Sequence, residues 1–312
     1  MTENKKIAIV GSGLIGSSWA SLFLSGGYKV VLYDVGEAQL QTSLKHVHDN
    51  LVKLDEKGLQ RGVLTAEEAF RNVSTTTDLA EALRDAFYVQ ESTIETVEFH
   101  VKIFAEMDAL AAPETILASS TSTIPASQFT EHLKNRERCL VVHPVNPPLF
   151  LPLTELVPAP WTSESTLHTA TTLMTSIGQE PIRLNREVLG FGVNRLQFAI
   201  MAEAWRLVAD DVLSPEDVDK IMSAGLGPRY AFNGPWATTH LNAFGIRDYW
   251  KRYGPGARRV LADFGPTPSF EEEHVIEKLE RSLNASMPLD SLKTFMANRE
   301  ESLAKIAKLK KE

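Results

Sequence analysis

The sequence predicts an α/β domain built on a mostly parallel sheet, followed by an all-helical domain. In the first half, short β-rich apolar runs alternate with longer amphipathic stretches. Beyond about Arg186 the strand pattern stops and helical periodicity takes over, which sets domains of 1–187 and 188–312. A chain of 312 residues is long enough for two separate cores.

Taken along the chain, the expected strands are KKIAIV, YKVVLYD, AFYVQES, TILASS and RCLVVHP, with EPIRLN as a last short one. Helical stretches between most of them imply parallel pairing and a sheet covered on both faces. The segment HPVNPPLFLPLTELVP, 143–158, is expected to be a stiff extended path, neither helix nor central strand. Each of its prolines fixes φ and removes a backbone donor. A helix is expected from Thr162 or Ser163, with Gly178 as its stop. Then EVLGFGVNRLQFAIMAEAWRLVADDV reads as one long helix, too apolar to keep one side in water. Either a partner subunit or its own domain covers it. In SPEDVDKIM, Ser214 is the expected N-cap, Pro215 takes the first helical position and Asp217 completes a capping box. Later helices are punctuated by Gly254, Pro255, Gly265, Pro266 and Pro268.

Composition narrows the function classes. Apolar residues at 43% and charged residues at 23% are ordinary for a globular protein. The net charge is −8, and KIAKLKKE is the only markedly basic stretch, which argues against a nucleic-acid partner. The single cysteine, Cys139, excludes an intramolecular disulfide and fits a reducing compartment. No apolar run approaches the ~20 residues that cross a bilayer. The opening MTENKKIAIVGSG carries no signal-peptide pattern, so a cytoplasmic protein with no membrane partner is expected.

A nucleotide site is expected at GSGLIG, Gly11 to Gly16. The G-x-G-x-x-G pattern recurs by chance, but here it follows the strand IAIV and opens a helix. Gly11 permits the tight turn, Gly13 lets backbone approach a pyrophosphate, and Gly16 allows close helix–strand packing. The helix N-terminus then offers free N–H groups and a partial positive charge to the phosphates. Asp34 ends YKVVLYD, eighteen residues after Gly16, where a carboxylate accepts from ribose hydroxyls and repels a 2′-phosphate. Val35 and Gly36 supply no arginine for such a phosphate, so the expected cofactor is NAD in a Rossmann-type domain.

His143, at the end of RCLVVH, stands where ligands gather in open α/β sheets, beyond the carboxyl ends of the strands. A lone histidine is more often structural. Two features favour chemistry: Glu155 lies twelve residues on, near enough to fold back onto the imidazole, and SSTST (Ser119 to Thr123) ends the preceding strand. Oxidising a secondary alcohol removes a hydride and a proton, and the proton needs a base with a pKa near working pH. An adjacent carboxylate fixes the tautomer and stabilises the imidazolium. Ser122 and Asn194 are the neutral groups that would grip the reacting oxygen, although Asn194 is equally readable as a helix residue bonded to backbone. No metal is required. His46 and His48 are two apart and fall on different helix faces.

Together GSGLIG, the SSTS cluster, HPVNPP…TELVP and GFGVNRLQ resemble the 3-hydroxyacyl-CoA dehydrogenase family, in order and over nearly the whole chain. GSGLIGSSWA, LFLSGG, VHPVNPP, EAWRLV and GLGPRYAFNGP are similar to its lambda-crystallin branch, whose members act as L-gulonate 3-dehydrogenases. The resemblance implies that Ser122, His143, Glu155 and Asn194 are the family's catalytic residues. It implies NAD contacts at Leu14, Ile15 and Asp34, and a glutamate near the nicotinamide ribose at Glu95 in STIETVEF. It also implies a helical C-terminal domain that pairs two subunits. One departure stands out: the lysine the family usually carries five residues after that glutamate is His100 here, with Lys102 close by.

For the substrate, SLKHVHDNLVKLDEKGLQRG alternates signs where a CoA-using relative needs a basic surface for phosphates. A free hydroxy acid needs a cation for its carboxylate, and Arg229, among rigid Gly and Pro neighbours, is the candidate. A domain-interface salt bridge is the alternative role for Arg229. Trp205, Trp236 and Trp250 are expected in the core. If they instead formed a cage, they would favour a quaternary ammonium substrate such as L-carnitine.

Overall fold

The computed structural model describes residues 5–310 of the chain. Two compact units result, one formed by the residues up to Arg195 together with those from Ala297 onward, the other by Leu196–Met296.

In the first unit the chain runs β1 (Lys6–Val10), α1 (Leu14–Ser25), β2 (Lys29–Tyr33), α2 (Glu37–Glu56), α3 (Ala66–Phe70), β3 (Val73–Thr76), α4 (Leu79–Leu83) and β4 (Ala86–Glu91). It continues with α5 (Val97–Leu110), β5 (Ile116–Ser119), α6 (Ser127–Thr130), β6 (Cys139–Pro144), β7 (Leu153–Pro158), α7 (Glu164–Ser176), β8 (Glu180–Arg183) and the start of α8 (Val193–Ala209), whose residues from Leu196 on belong to the second unit. Among the described residues, eight strands form one sheet in the order β3-β2-β1-β4-β5-β6-β7-β8. Pairing is parallel from β3 to β6, then antiparallel between β6 and β7, and parallel again to β8.

Period-2 alternation builds two core layers. Ile7 and Ile9 join one layer with Trp19, Phe23, Leu40, Val47, Leu167 and Met174, from α1, α2 and α7. Ala8 and Val10 join the other with Ile103, Phe104 and Met107 from α5. The strand order reverses between β1 and β4, so a crevice opens beyond their carboxyl ends, where ligands bind in sheets of this kind.

Two expectations need correction. The ends of 143–158 are interior strands of the sheet, and only 145–152 is a connection. The prolines permit this because Pro144 and Pro158 are the last residues of β6 and β7, and neither strand has a proline inside it. The strand β3 was not expected either. Its sequence VSTT is short and polar and lies at the sheet edge, so it carries no apolar alternation to read.

The helix α7 starts from Ser163, whose hydroxyl accepts from Thr166 N, and Gly178 beyond its end takes φ +71°. The long apolar helix begins at Val193, later than its apolar pattern.

In the second unit the elements are α9 (Pro215–Lys220), a π-helical turn over Ile221–Leu226, α10 (Gly227–Phe232), α11 (Pro235–Leu241), α12 (Ile246–Asp263) and α13 (Glu273–Ser286). Ser214 caps α9 by accepting from Asp217 N, but the Asp217 carboxylate accepts from the Ser214 hydroxyl at 3.0 Å and not from its backbone N–H, so the expected capping box is only half made. Trp205 packs edge-on to Phe270 at 5.3 Å and lines an apolar cleft of about 360 Å³ with Met201, Val208, Val218 and Leu283. The core expectation fails for Trp236 and Trp250, which are 69% and 43% exposed. Leu196, Phe198, Ile200 and Met201 of α8 are also 45% to 66% exposed, whereas Val208 near its end is buried, so the helix is covered over only part of its length.

The final helix, α14 (Leu292–Leu309), contributes Ala304 to the first unit's core. Its Glu300 holds Lys53 at 3.0 Å and its Glu301 pairs with Lys57, both lysines lying at the end of α2.

Candidate active site

The nucleotide cradle is built by β1, the turn after it and α1. Gly11 takes φ +92°, and a Cβ on Gly16 would stand 2.0 Å from the Gly11 carbonyl oxygen, so helix and turn meet only through glycine. Around Gly13 there is open space. Gly13 is also the N-cap of α1 and supplies no side-chain acceptor, which leaves the first-turn N–H groups at Leu14 and Ile15 for a ligand. Asp34 follows β2. Its Oδ2 accepts from Ser12 N at 2.9 Å and Ser12 Oγ at 3.0 Å, and its Oδ1 has no partner among the described residues. A cleft of about 260 Å³ lies beside it, walled by Gly11, Gly13, Val35, Ile94 and Phe99. An open glycine face, an uncapped helix N-terminus and a free carboxylate oxygen together fit the pyrophosphate and adenosine ribose of NAD.

Ser12 was not singled out in the sequence. It is buried, it orients Asp34, and its own carbonyl accepts from Ser43 Oγ at 2.5 Å and Gln39 Nε2 at 3.1 Å. A small hydroxyl residue between the first two glycines is the signal that could have found it.

His143 and Glu155 face each other directly across the antiparallel β6–β7 pair. Their side chains therefore share one face of the sheet. Nδ1 of His143 lies 2.8 Å from Glu155 Oε2. A carboxylate only accepts, so Nδ1 carries the proton and Nε2 has its lone pair free. No described residue bonds Nε2. The other oxygen, Oε1, accepts from Gly192 N at 2.8 Å and Val193 N at 3.0 Å, which pins the start of α8 to the strand pair. Both side chains are buried, and the Phe191 ring packs 5.6 Å from the imidazole.

Ser122 is exposed on the turn after β5. Asn194, on the first turn of α8, donates from Nδ2 to the Ser122 carbonyl oxygen at 2.7 Å. The amide is thus bonded to backbone, and the bond ties these two positions together. Ser122 N donates to Glu95 Oε1 at 2.9 Å, and Thr121 Oγ1 donates to the same oxygen at 2.5 Å. Behind Glu95 stands Glu91, the last residue of β4, fully buried. Burial pushes its carboxyl up, but His100 beside it and the hydroxyls of Ser119 and Thr93 outweigh that and hold it below the usual carboxylate range.

The remaining candidates are placed as follows. Arg229 is exposed on α10 of the second unit. His100 points into the core of the first unit, whereas Lys102 is exposed. The Cys139 thiol is buried in β6 and pushed up to about 12, so it stays a neutral packing group. No helix of the described residues is long and apolar enough to cross a membrane.

Comparison with known proteins places this geometry in a family. The family model described as 3-hydroxyacyl-CoA dehydrogenase, NAD binding domain, matches residues 6–188, and the model of its C-terminal domain matches 190–279. The chain is 43% identical to lambda-crystallin of Oryctolagus cuniculus over 308 residues, covering 98% of this chain and 96% of the relative. It is 35% identical to an L-carnitine dehydrogenase of Staphylococcus epidermidis over 257 residues, 81% of this chain and 78% of the relative. A solved structure of 5-formyl-3-hydroxy-2-methylpyridine 4-carboxylic acid 5-dehydrogenase, an NAD+-dependent dismutase, superposes with a TM-score of 0.85 at 26% identity, covering 98% of each chain. Matched in order through both halves, the chain belongs to the 3-hydroxyacyl-CoA dehydrogenase family and is an NAD-dependent oxidoreductase acting on CH–OH groups.

Proposed function

We propose that the protein oxidises the 3-hydroxyl of a small free hydroxy acid, with L-gulonate to 3-dehydro-L-gulonate the best single reaction. The observation that carries the reading is the buried 2.8 Å bond between His143 Nδ1 and Glu155, which leaves Nε2 as a poised base. NAD, when bound, supplies the acceptor for the hydride. The chain manages the proton. His143 Nε2 takes it from the substrate hydroxyl, and Glu155 stabilises the resulting imidazolium while preventing the ring from rotating. The Ser122 hydroxyl holds the reacting oxygen, and Asn194 fixes Ser122 through its backbone carbonyl. Glu95 and Asp34 meet the two riboses, and Gly11, Gly13, Leu14, Ile15 and Gly16 form the pyrophosphate cradle.

Two features favour a free acid over a CoA thioester. The sequence of α2 alternates in sign, and its Lys53 and Lys57 are already paired with Glu300 and Glu301. The test is turnover with NAD on L-gulonate, 3-hydroxybutyrate, L-carnitine and 3-hydroxybutyryl-CoA. Fastest turnover on L-gulonate supports the reading, and a preference for the thioester sinks it. For the substrate carboxylate we assign Arg229, a planar bidentate donor. Arg229→Ala should raise KM for the hydroxy acid far more than KM for NAD, and an unchanged KM removes Arg229 from the site.

The exposed apolar residues of α8 support pairing of two copies through the helical unit. Light scattering should give the mass of two chains, and a monomer at micromolar concentration would refute the dimer.

A further inference from the structure

The ring of His100 lies on the buried stripe of α5 with Ile103, Phe104 and Met107, tilted by 34° against the Phe129 ring at 5.0 Å. It is 1% exposed, yet neither nitrogen makes a well-formed hydrogen bond among the described residues. Each nitrogen instead faces a carboxylate: Nδ1 is 3.2 Å from Glu91 Oε2, and Nε2 is 4.0 Å from Glu95 Oε2. Buried polar atoms are nearly always bonded, so a ring left this way needs a reason.

The two carboxylates suggest one. Glu91 is anchored on the scaffold side, where its oxygens accept from Ser119 Oγ at 2.5 Å, Thr93 N at 2.6 Å and Thr93 Oγ1 at 2.5 Å. Glu95 is anchored on the site side. Its Oε1 accepts from Thr121 Oγ1, Ser122 N and Thr123 N, which gathers the turn carrying Ser122 around a single oxygen. Its Oε2 accepts no hydrogen bond among the described residues and faces His100 Nε2 at 4.0 Å. Ser119 Oγ also accepts from Thr121 N at 3.1 Å, but His100 is the side chain that stands between the two carboxylates, Glu91 at the strand end and Glu95 at the turn holding the reacting oxygen.

We infer that His100 is a positioning residue: it fixes Glu95 from behind through Nε2, and through Glu95 it sets the placement of the Thr121–Thr123 turn and of Ser122. The inference rests on the role proposed above for Ser122. Nδ1 and its contact with Glu91 hold the ring, and Nε2 delivers the effect. The two nitrogens can be separated experimentally, because an asparagine amide reaches about as far as Nδ1 and a glutamine amide about as far as Nε2.

His100→Asn should lower kcat roughly 10-fold or more, since small misplacements at a reacting centre cost this much. It should also weaken NAD binding, measured by fluorescence titration. His100→Gln should recover most of both losses. A merely structural role predicts that melting temperature falls in both variants while kcat and NAD affinity do not distinguish them, and that outcome overturns the inference. Equal kcat for Asn, Gln and parent overturns it as well. His143→Ala run in parallel separates the two readings. If that variant loses turnover while the His100 variants are indistinguishable, only the positioning role fails. If that variant keeps turnover, the proposed active site itself fails.

Discussion

Replacing His143 with alanine should lower kcat by about 10²–10⁴, the usual worth of a positioned general base, and leave NAD affinity unchanged. The separation is expected because the imidazole is held by β6 and β7 and touches Glu155 and Phe191, whereas the cradle is held by β1, α1 and β2. Alanine also empties a buried volume next to Phe191, so some stability is lost. His143→Gln fills that volume and still cannot accept a proton, so it should be as inactive as the alanine variant. Turnover within a few-fold of the parent in either variant would show that another group takes the proton.

Glu155→Gln should cost on the order of 10²–10⁴ in kcat although only one atom changes. The native carboxylate accepts three bonds, from His143 Nδ1, Gly192 N and Val193 N. An amide has one oxygen to offer. If that oxygen serves the two backbone N–H groups, the amide nitrogen faces Nδ1 and moves the ring proton to Nε2, the nitrogen that must be free. If the amide turns over, its N–H₂ meets Gly192 and Val193 donor to donor, and two buried groups are left unsatisfied at about 1–3 kcal/mol each. Either arrangement is damaging. The measurement is kcat against pH together with the melting temperature. A fall in stability with undiminished kcat would confine Glu155 to a structural role.

Much of the fold was legible because it depends on local regularities. GSGLIG after IAIV places the cradle, and a one-residue change of phase there would break both the turn and the contact of Gly16 with Gly11. The Ser163 and Ser214 caps likewise follow from local backbone donors seeking the nearest hydroxyl. By contrast, β3 has no apolar alternation, and β7 is hidden among prolines that turn out to lie at strand ends. Trp236 and Trp250 looked like core residues because periodicity records hydrophobicity but not what covers it.

Within the candidate site, the sequence by itself determined the inventory: the glycines, Asp34, a histidine and a glutamate twelve apart, and Ser122 and Asn194 as hydroxyl and amide. The tertiary structure decided which of these meet. Antiparallel register, set by cross-strand hydrogen bonds, puts His143 opposite Glu155, and a shift of one residue would send the two side chains to opposite faces. Strand order brings Glu91, Glu95 and His100 behind the Ser122 turn, and Ser12 under Asp34, through contacts that no local spacing encodes. Long-range pairing is a property of the whole sheet, so it becomes visible only when every strand has found its neighbour.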